Sequence, residues 1–357
     1  MDYNTLISLD NLFVAWEKFG KGKRSKKDVQ LFERHVEDNL FQMYEELSMQ
    51  KYRHGGYEAF YVNDPKRRHI HKASVRDRVV HHLLYTYLYK LFDSQFIYDS
   101  YSCRVNKGTH KAIDRLETFT RKVSRNYSQD CWVLHLDIQK FFARVDHIVL
   151  KELLSKKIED KNILMLLYEI INSFTSDQDS SLPPAGGAQN DMAKKGIPLG
   201  NLTSQVFANI YLNELDQFIK HTLKVKYYIR YADDFVIVLP NREKLDSYIA
   251  LIRDFLTTLK LNIHPQKISN RNLKWGIDFL GYIVLPHYRL PRTKTKRRVF
   301  SKVSGKLNEL ENEDISYDSF NQSIQSYKGY LKHANSYKTR QDLENIISVC
   351  IKPPVLV

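Results

Sequence analysis

Two short segments place acidic residues where an apolar strand pattern ends. In Trp132–Phe142 (WVLHLDIQKFF) a run of β-formers delivers Asp137, followed by Ile138. In Tyr228–Leu239 (YIRYADDFVIVL) Asp233 and Asp234 stand side by side between two apolar runs, the pattern of a tight hairpin. Adjacent carboxylates between hydrophobic strands repel each other unless a cation neutralises them. Taken alone, an Asp-Asp pair also suits a solvated turn. Joined by a strand-terminal Asp137, it becomes a cluster of hard oxygen donors, to which the Ile138 carbonyl can add. Mg²⁺ takes such donors together with substrate phosphates. Two ions held this way stabilise the attacking and leaving oxygens of an in-line phosphoryl displacement.

Positioning these acids falls to a mixed order of helices and strands. Apolar spacing predicts helices across Asn11–Gln50 with a basic break at Lys21–Lys27, a long buried helix over Arg76–Tyr98, and an amphipathic one over Lys111–Ser128. The last leads into a strand at Cys131–Leu136. Further helices are expected at His147–Lys156, Lys161–Ser173, Leu202–His221 and Lys244–Leu259. Strands are expected at Tyr227–Tyr231 and Phe235–Leu239, with Ala232, Asp233 and Asp234 between them. Apolar runs at Phe279–Val284 and Tyr288–Leu290 precede a basic, mainly helical tail from Lys294 to about Val349. Ser176–Asp191, rich in Ser, Gly, Pro and Asp, reads as a surface loop. Strands ending in carboxylates with helices between them make an α+β order, not a doubly wound one.

Composition narrows the partners. The 357 residues are 43% hydrophobic and 27% charged, a globular balance. Fifty-five Lys and Arg against 41 Asp and Glu give a net charge of +14, which favours a polyanion such as nucleic acid. No apolar stretch approaches the roughly 18 residues that span a bilayer, so no membrane partner is expected. Met1–Phe13 lacks the basic start and apolar core of a secretory signal. Cys103, Cys131 and Cys350 are far apart and form no CxxC. Buried thiols in a reducing, cytoplasmic setting are expected, not a disulfide framework or a zinc site.

The segments around the acids resemble the reverse transcriptase family over nearly the whole chain. Tyr231-Ala232-Asp233-Asp234 resembles its YxDD box, and Asp137 the acid of its first palm motif. The resemblance implies a right-hand polymerase. Residues 1–130 would form an N-terminal extension and fingers, and 131–285 the palm, with a fingers insertion around 150–200. Residues 286–357 would form a helical thumb. An antiparallel palm sheet would be flanked by helices. It implies RNA-directed DNA synthesis from dNTPs, with two Mg²⁺ ions (Mn²⁺ as a substitute) on Asp137, Asp233, Asp234 and the Ile138 carbonyl, an RNA template and a cDNA product.

The family's other positions carry over one by one. Phe142 takes the place of the aromatic that lies under the incoming sugar and excludes a 2′-hydroxyl; plain core packing is its other reading. Lys195–Gln205 (KGIPLGNLTSQ) is similar to the second palm motif, where Gly200 would let the backbone approach the nascent base pair and Gln205 would lie over the template side. Asp64–His82 (DPKRRHIHKASVRDRVVHH) resembles the fingers segment that grips the triphosphate, through Lys66, Arg68 and Arg76 among others. A charge run of this kind is also the ordinary mark of a solvated face. Tyr101–Ala112 resembles the next block, with Arg104 holding template and fingers together. Lys267, in HPQK, matches a candidate acid for the departing pyrophosphate, though a solvated loop lysine fits as well. Phe279-Leu280-Gly281-Tyr282 resembles the primer-gripping hairpin, so Leu280, Gly281 and Tyr282, with Tyr231 and Ala232, would face the primer end. Arg297, within the basic stretch Arg289–Arg298, would track the duplex backbone with an affinity that falls steeply with salt.

The branch of the family is read from departures. Group II intron and retroviral members usually end the second palm motif in Ser-Pro; here it ends in Ser204-Gln205. GNLTSQVFANIYLN and SYKGYLKHANSYKTR (Ser326–Arg340) resemble the reverse transcriptases of diversity-generating retroelements, and the NAxxH block and VTG triplet of retron enzymes are missing. The residues after Tyr282 leave room for a thumb but not for maturase, DNA-binding, endonuclease or RNase H modules. That resemblance implies a bacterial or phage-encoded enzyme copying a template-repeat RNA with errors chiefly at adenines. A structured non-coding RNA and a small helical-bundle accessory protein would be its partners. The alternatives are a standalone defence-associated reverse transcriptase and a non-catalytic nucleic-acid-binding protein on the same scaffold.

Overall fold

The computed structural model describes residues 1–63, 66–176 and 194–350, the side chains of 349 and 350 excepted. Beyond Ser176, the loop expected at Ser176–Asp191 lies outside these residues, as do Asp64, Pro65 and the side chain of Cys350.

Four helices open the chain: α1 (Tyr3–Leu6), α2 (Leu9–Gly20), α3 (Lys27–Glu33) and α4 (Val36–Ser48). The side chains of Asp2 and Ser8 cap the first two, accepting from amides that lack an intrahelical partner. An antiparallel hairpin follows, β1 (Tyr57–Val62) with β2 (Arg68–Ala73), and then α5 (Val75–Phe92), capped by Ser74. The helix stops short of the expected Tyr98, because a 3-10 turn at Asp93–Gln95 breaks the ladder and Phe96 folds back into the core. Likewise α6 (Thr109–Val123) ends before Ser128: Arg125, Asn126 and Tyr127 all adopt positive φ, which a right-handed helix cannot accommodate.

The centre of the chain comprises β3 (Trp132–Asp137), α7 (Phe141–Arg144), α8 (His147–Ser155), α9 (Lys161–Asn172) and α10 (Leu202–Gln217), the last continued by a π-turn to Thr222. After it come β4 (Tyr228–Tyr231), β5 (Asp234–Leu239), α11 (Arg242–Thr258) and β6 (Ser269–Asn272). These four strands form one antiparallel sheet in the order β4-β5-β3-β6. Leu134, Leu136, Phe235 and Ile237 face a large helical core, while Val133, Val236 and Val238 pack into a second cluster on the other side. Burial on both faces explains why Phe235–Leu239 reads as an unbroken apolar run.

A three-stranded sheet, β7 (Ile277–Phe279), β8 (Tyr282–Leu285) and β9 (Tyr288–Pro291), closes the second cluster. The run expected as one stretch at Phe279–Val284 is therefore two strands. Leu280 at φ 48° and Gly281 at φ 93° turn the chain between them. Three helices complete the chain, α12 (Thr293–Glu311), α13 (Tyr317–Lys332) and α14 (Tyr337–Cys350), around a core of their own that includes Val303, Phe320 and Leu331. The fold is α+β: an antiparallel palm sheet flanked by helices, a fingers hairpin and a helical thumb, the right-hand layout that the resemblance implies. No helix among the described residues is long and apolar enough to cross a membrane.

Candidate active site

Strand register brings the three acids together. Asp137 is the direct partner of Asp234 across β3 and β5, and Tyr231 pairs with Asp234 to close the hairpin. The turn is therefore only Ala232 and Asp233, one residue shorter than the sequence pattern suggests, with Asp234 the first residue of β5. Opposite residues in an antiparallel pair have their Cβ atoms about 5 Å apart, so the two carboxylates share one face. The Ile138 amide donates to the Asp233 carbonyl at 3.1 Å, and the His264 amide to the Asp137 carbonyl at 2.8 Å.

The electrostatics follow from this crowding. Burial, then the charges of Asp137 and Asp234, push the Asp233 carboxyl up to about 6. Lys267 Nζ lies 2.7 Å from Asp137 Oδ1, and His135 Nε2 contacts the Asp234 carboxylate. Burial pulls the His135 imidazole down, but its bond to Asp234 and the charges of Asp234, Asp278 and Asp137 outweigh this and raise it. His135 was not singled out from sequence. Its signal was available, since it stands two residues before Asp137 on the same strand and so on the same face. Among the described residues no three His, Cys, Asp or Glu side chains stand as a ready-made metal cage. The donor chemistry nevertheless fits a hard cation: three carboxylates meet at one strand end, and burial with the charges of Asp137 and Asp234 favours the protonated form of Asp233 even though Lys267 and His135 contact those two neighbours.

A cleft of about 710 Å³ runs over Asp137 and Asp234, with Asp233 behind its lining. Lys66 and Arg68 reach it from the fingers hairpin, Asp137, Asp234 and Lys267 from the palm. Leu280, Gly281, Arg292, Lys294 and Arg298 line it from the thumb side. Arg298, not the expected Arg297, faces the cleft. One turn of helix separates Lys294 from Arg298, whereas Arg297 lies exposed and outside the lining.

Other expected residues have framework partners. Arg76 contacts Glu46 of α4 and lies over the Tyr52 ring at 4.8 Å, which turns it away from the cleft. Arg104, its side chain only 8% exposed, pairs with Asp93 at 2.7 Å and donates to the Ile97 carbonyl. Its guanidinium holds the chain after α5 and is not open to a template. Tyr282 is fully buried, its hydroxyl donating to the Tyr330 carbonyl, while Tyr330 donates to the Gly281 carbonyl at 2.7 Å. The hairpin is thus strapped to the thumb, and its half-buried turn, not the Tyr282 ring, meets the cleft.

Phe142 is half-buried against Phe141, and its carbonyl accepts from the Ile197 amide at 2.8 Å, joining the first palm motif to the second. Gly200, at φ 113°, has Ile70 so close that a Cβ would lie 2.8 Å from it. What it permits in the protein itself is the approach of β2 to the palm. Asn201 completes that junction by donating to the His71 carbonyl at 2.8 Å. Gln205 is exposed on the first turn of α10. Ala232 takes the left-handed conformation at φ 54°, and the Tyr231 hydroxyl accepts from Thr109 at 3.2 Å.

A family profile described as reverse transcriptase (RNA-dependent DNA polymerase) matches residues 63–284. Among curated proteins the chain is similar to the putative COX1/OXI3 intron 2 protein of Saccharomyces cerevisiae, 22% identical over 287 residues, covering 64% of this chain and 31% of the relative. Protein YkfC of Escherichia coli is 24% identical over 250 residues, covering 61% and 63%. The group II intron-encoded protein LtrA of Lactococcus lactis subsp. cremoris is 26% identical over 168 residues, covering 46% and 25%. The chain spans less than two thirds of each relative. Among solved structures, a telomerase from Candida albicans in complex with a TWJ fragment of telomeric RNA aligns over 85% of this chain and 61% of that one, at 12% identity and a TM-score of 0.48. That likeness is too loose to add to the reading.

Proposed function

The chain belongs to the reverse transcriptase family, and from that premise we propose that it is an RNA-directed DNA polymerase, extending a cDNA primer on an RNA template from dNTPs. The observation that carries the reading is the single cleft shared by Lys66 and Arg68 of the fingers, Asp137, Asp234 and Lys267 of the palm, and Arg298 of the thumb. In this reading the primer 3′-oxygen forms a bond to the α-phosphorus of the dNTP, the bond from that phosphorus to the bridging oxygen breaks, and pyrophosphate leaves. Asp137, Asp233, Asp234 and the Ile138 carbonyl would hold Mg²⁺ or Mn²⁺. Bound, such ions stabilise the charge on the attacking and leaving oxygens. Lys66 and Arg68 steady the triphosphate. Lys267 Nζ, beside Asp137, is placed to give a proton to the departing pyrophosphate. Phe142 excludes a 2′-hydroxyl beside the incoming sugar.

The Ser204-Gln205 ending and the Ser326–Arg340 segment further support a diversity-generating retroelement, with its template-repeat RNA and accessory protein as partners. In that reading Gln205, exposed at the start of α10, relaxes base selection opposite template adenines. An unchanged misincorporation spectrum in Gln205→Pro would remove the idea.

The test is dTTP incorporation on poly(rA)/oligo(dT) with Mg²⁺, wild type against Asp233→Asn/Asp234→Asn. Incorporation should fall by about 10³-fold or more in the variant, the scale of losing preorganised charge stabilisation. An inactive wild type, with structured RNA and accessory protein supplied, would favour the non-catalytic binding protein instead.

A further inference from the structure

We propose that Arg230 is a positioning residue for the acids of the β4–β5 turn, acting through the carbonyl of Ala232; the inference rests on the polymerase reading above. Arg230 stands just before the turn and is fully buried. Its guanidinium faces Asp216 of α10, with Nε donating at 2.8 Å and Nη2 at 2.7 Å. Nη1 donates to Asn209 Oδ1 at 3.1 Å and to the Ala232 carbonyl at 3.2 Å. The anchors are themselves held. Tyr228 donates to Asp216, and Asn209 donates to the Ser102 carbonyl. The Arg230 backbone pairs with Asp99 and Tyr101 on the neighbouring segment.

As a contribution to stability alone this arrangement is hard to justify, because well-packed apolar side chains replace a buried ion pair without loss in many cases. What apolar residues cannot supply is a donor to the turn. Ala232 sits at φ 54°, a left-handed conformation that is unfavourable for an L-residue and persists only where the surroundings hold it. Asp233 and Asp234 are the next two residues, so the orientation of the Ala232 peptide sets theirs. A planar fork reaches Asp216 with one edge, and Asn209 and the turn with the other. A lysine ammonium has no such geometry.

Two variants test this. Arg230→Lys keeps a charge for Asp216 but lacks the second arm, and Arg230→Met/Asp216→Leu replaces the pair by apolar volume. In both, folded protein should bind Mn²⁺, measured by EPR, about 10- to 100-fold more weakly than wild type, the usual cost of losing an outer-sphere support. The kcat for dTTP incorporation should fall about 10²-fold with little change in KM, as expected when reacting groups are misplaced by about an ångström. Wild-type Mn²⁺ affinity and kcat in the folded double variant would overturn the proposal and leave Arg230 a core residue. If the double variant does not fold, Arg230→Lys decides on the same two readouts. Mn²⁺ binding is read without turnover, so a wild type that binds Mn²⁺ but incorporates nothing counts against the polymerase reading and not against Arg230.

Discussion

Asp216 and Asp233 are both carboxylates of the palm, close to the same hairpin, and the protein treats them in opposite ways. Asp216 is fully buried and receives three donors, two from Arg230 and one from Tyr228. Asp233, at the tip, faces two further acids and is pushed up to about 6 by burial and by their charge. The partners of the tip acids are also of another kind. Lys267 gives Asp137 one contact from a side chain 39% exposed, whereas Arg230 is completely enclosed. Charge that holds the frame is matched within the protein. At the tip Asp137 meets Lys267 and Asp234 meets His135, and the crowding falls on Asp233, whose charge is left for something that arrives.

The first way to break this contrast is to remove each acid. Asp216→Ala leaves a buried guanidinium without its counter-charge and should destabilise the protein by about 3–5 kcal/mol in urea unfolding. Asp233→Asn removes a repelled, partly buried carboxylate and should leave metal-free protein at least as stable as wild type at pH 8. If both changes destabilised alike, the tip acids would be framework and the distinction would fail.

A second prediction sharpens it with pH. The Asp233 carboxyl lies above its unfolded value of about 3.8 in the folded protein, so folding favours its protonated form. Its contribution is fully present below about pH 4 and is lost as pH rises through about 6. The stability of metal-free wild type, relative to Asp233→Asn, should therefore fall by up to about 3 kcal/mol between pH 4 and 7 and then level off. Referencing to the variant cancels titrating groups remote from Asp233, among them His82, which burial and neighbouring lysines lower to about 4. A flat difference across that range would mean that Asp233 is not crowded. Nucleotide incorporation should show the reverse trend, rising through about pH 6 as Asp233 ionises.

The same contrast marks what could be read from sequence. The acids were legible because strand-forming runs end on them, and alternation then fixes which face they share. The hairpin of β1 and β2 was not, since β1 exposes five of its six residues and shows no alternating pattern. Cations were visible one by one, but not their partners. Glu46 lies thirty residues from Arg76 and Asp93 eleven from Arg104, and only the fold brings each pair together. Arg230 and Asp216 belong to different elements, so nothing in the spacing marks them as a pair.

The smallest effect asked for separates two arginines that look alike in the basic segment. Arg68 opens β2 and lines the cleft, while Arg76 contacts Glu46 on a partly exposed surface. If charges facing the cleft await the triphosphate, Arg68→Gln should raise the dTTP KM about tenfold, the scale of one charge-assisted hydrogen bond, with the melting temperature unchanged. Arg76→Gln should leave that KM within about twofold and cost no more than about 1 kcal/mol of stability, as for other half-exposed pairs. The result that would hurt most is the inverse, a dTTP KM sensitive to Arg76 and indifferent to Arg68. It would mean that α5 swings towards the cleft when nucleotide binds, and that Glu46 holds Arg76 only in the free protein.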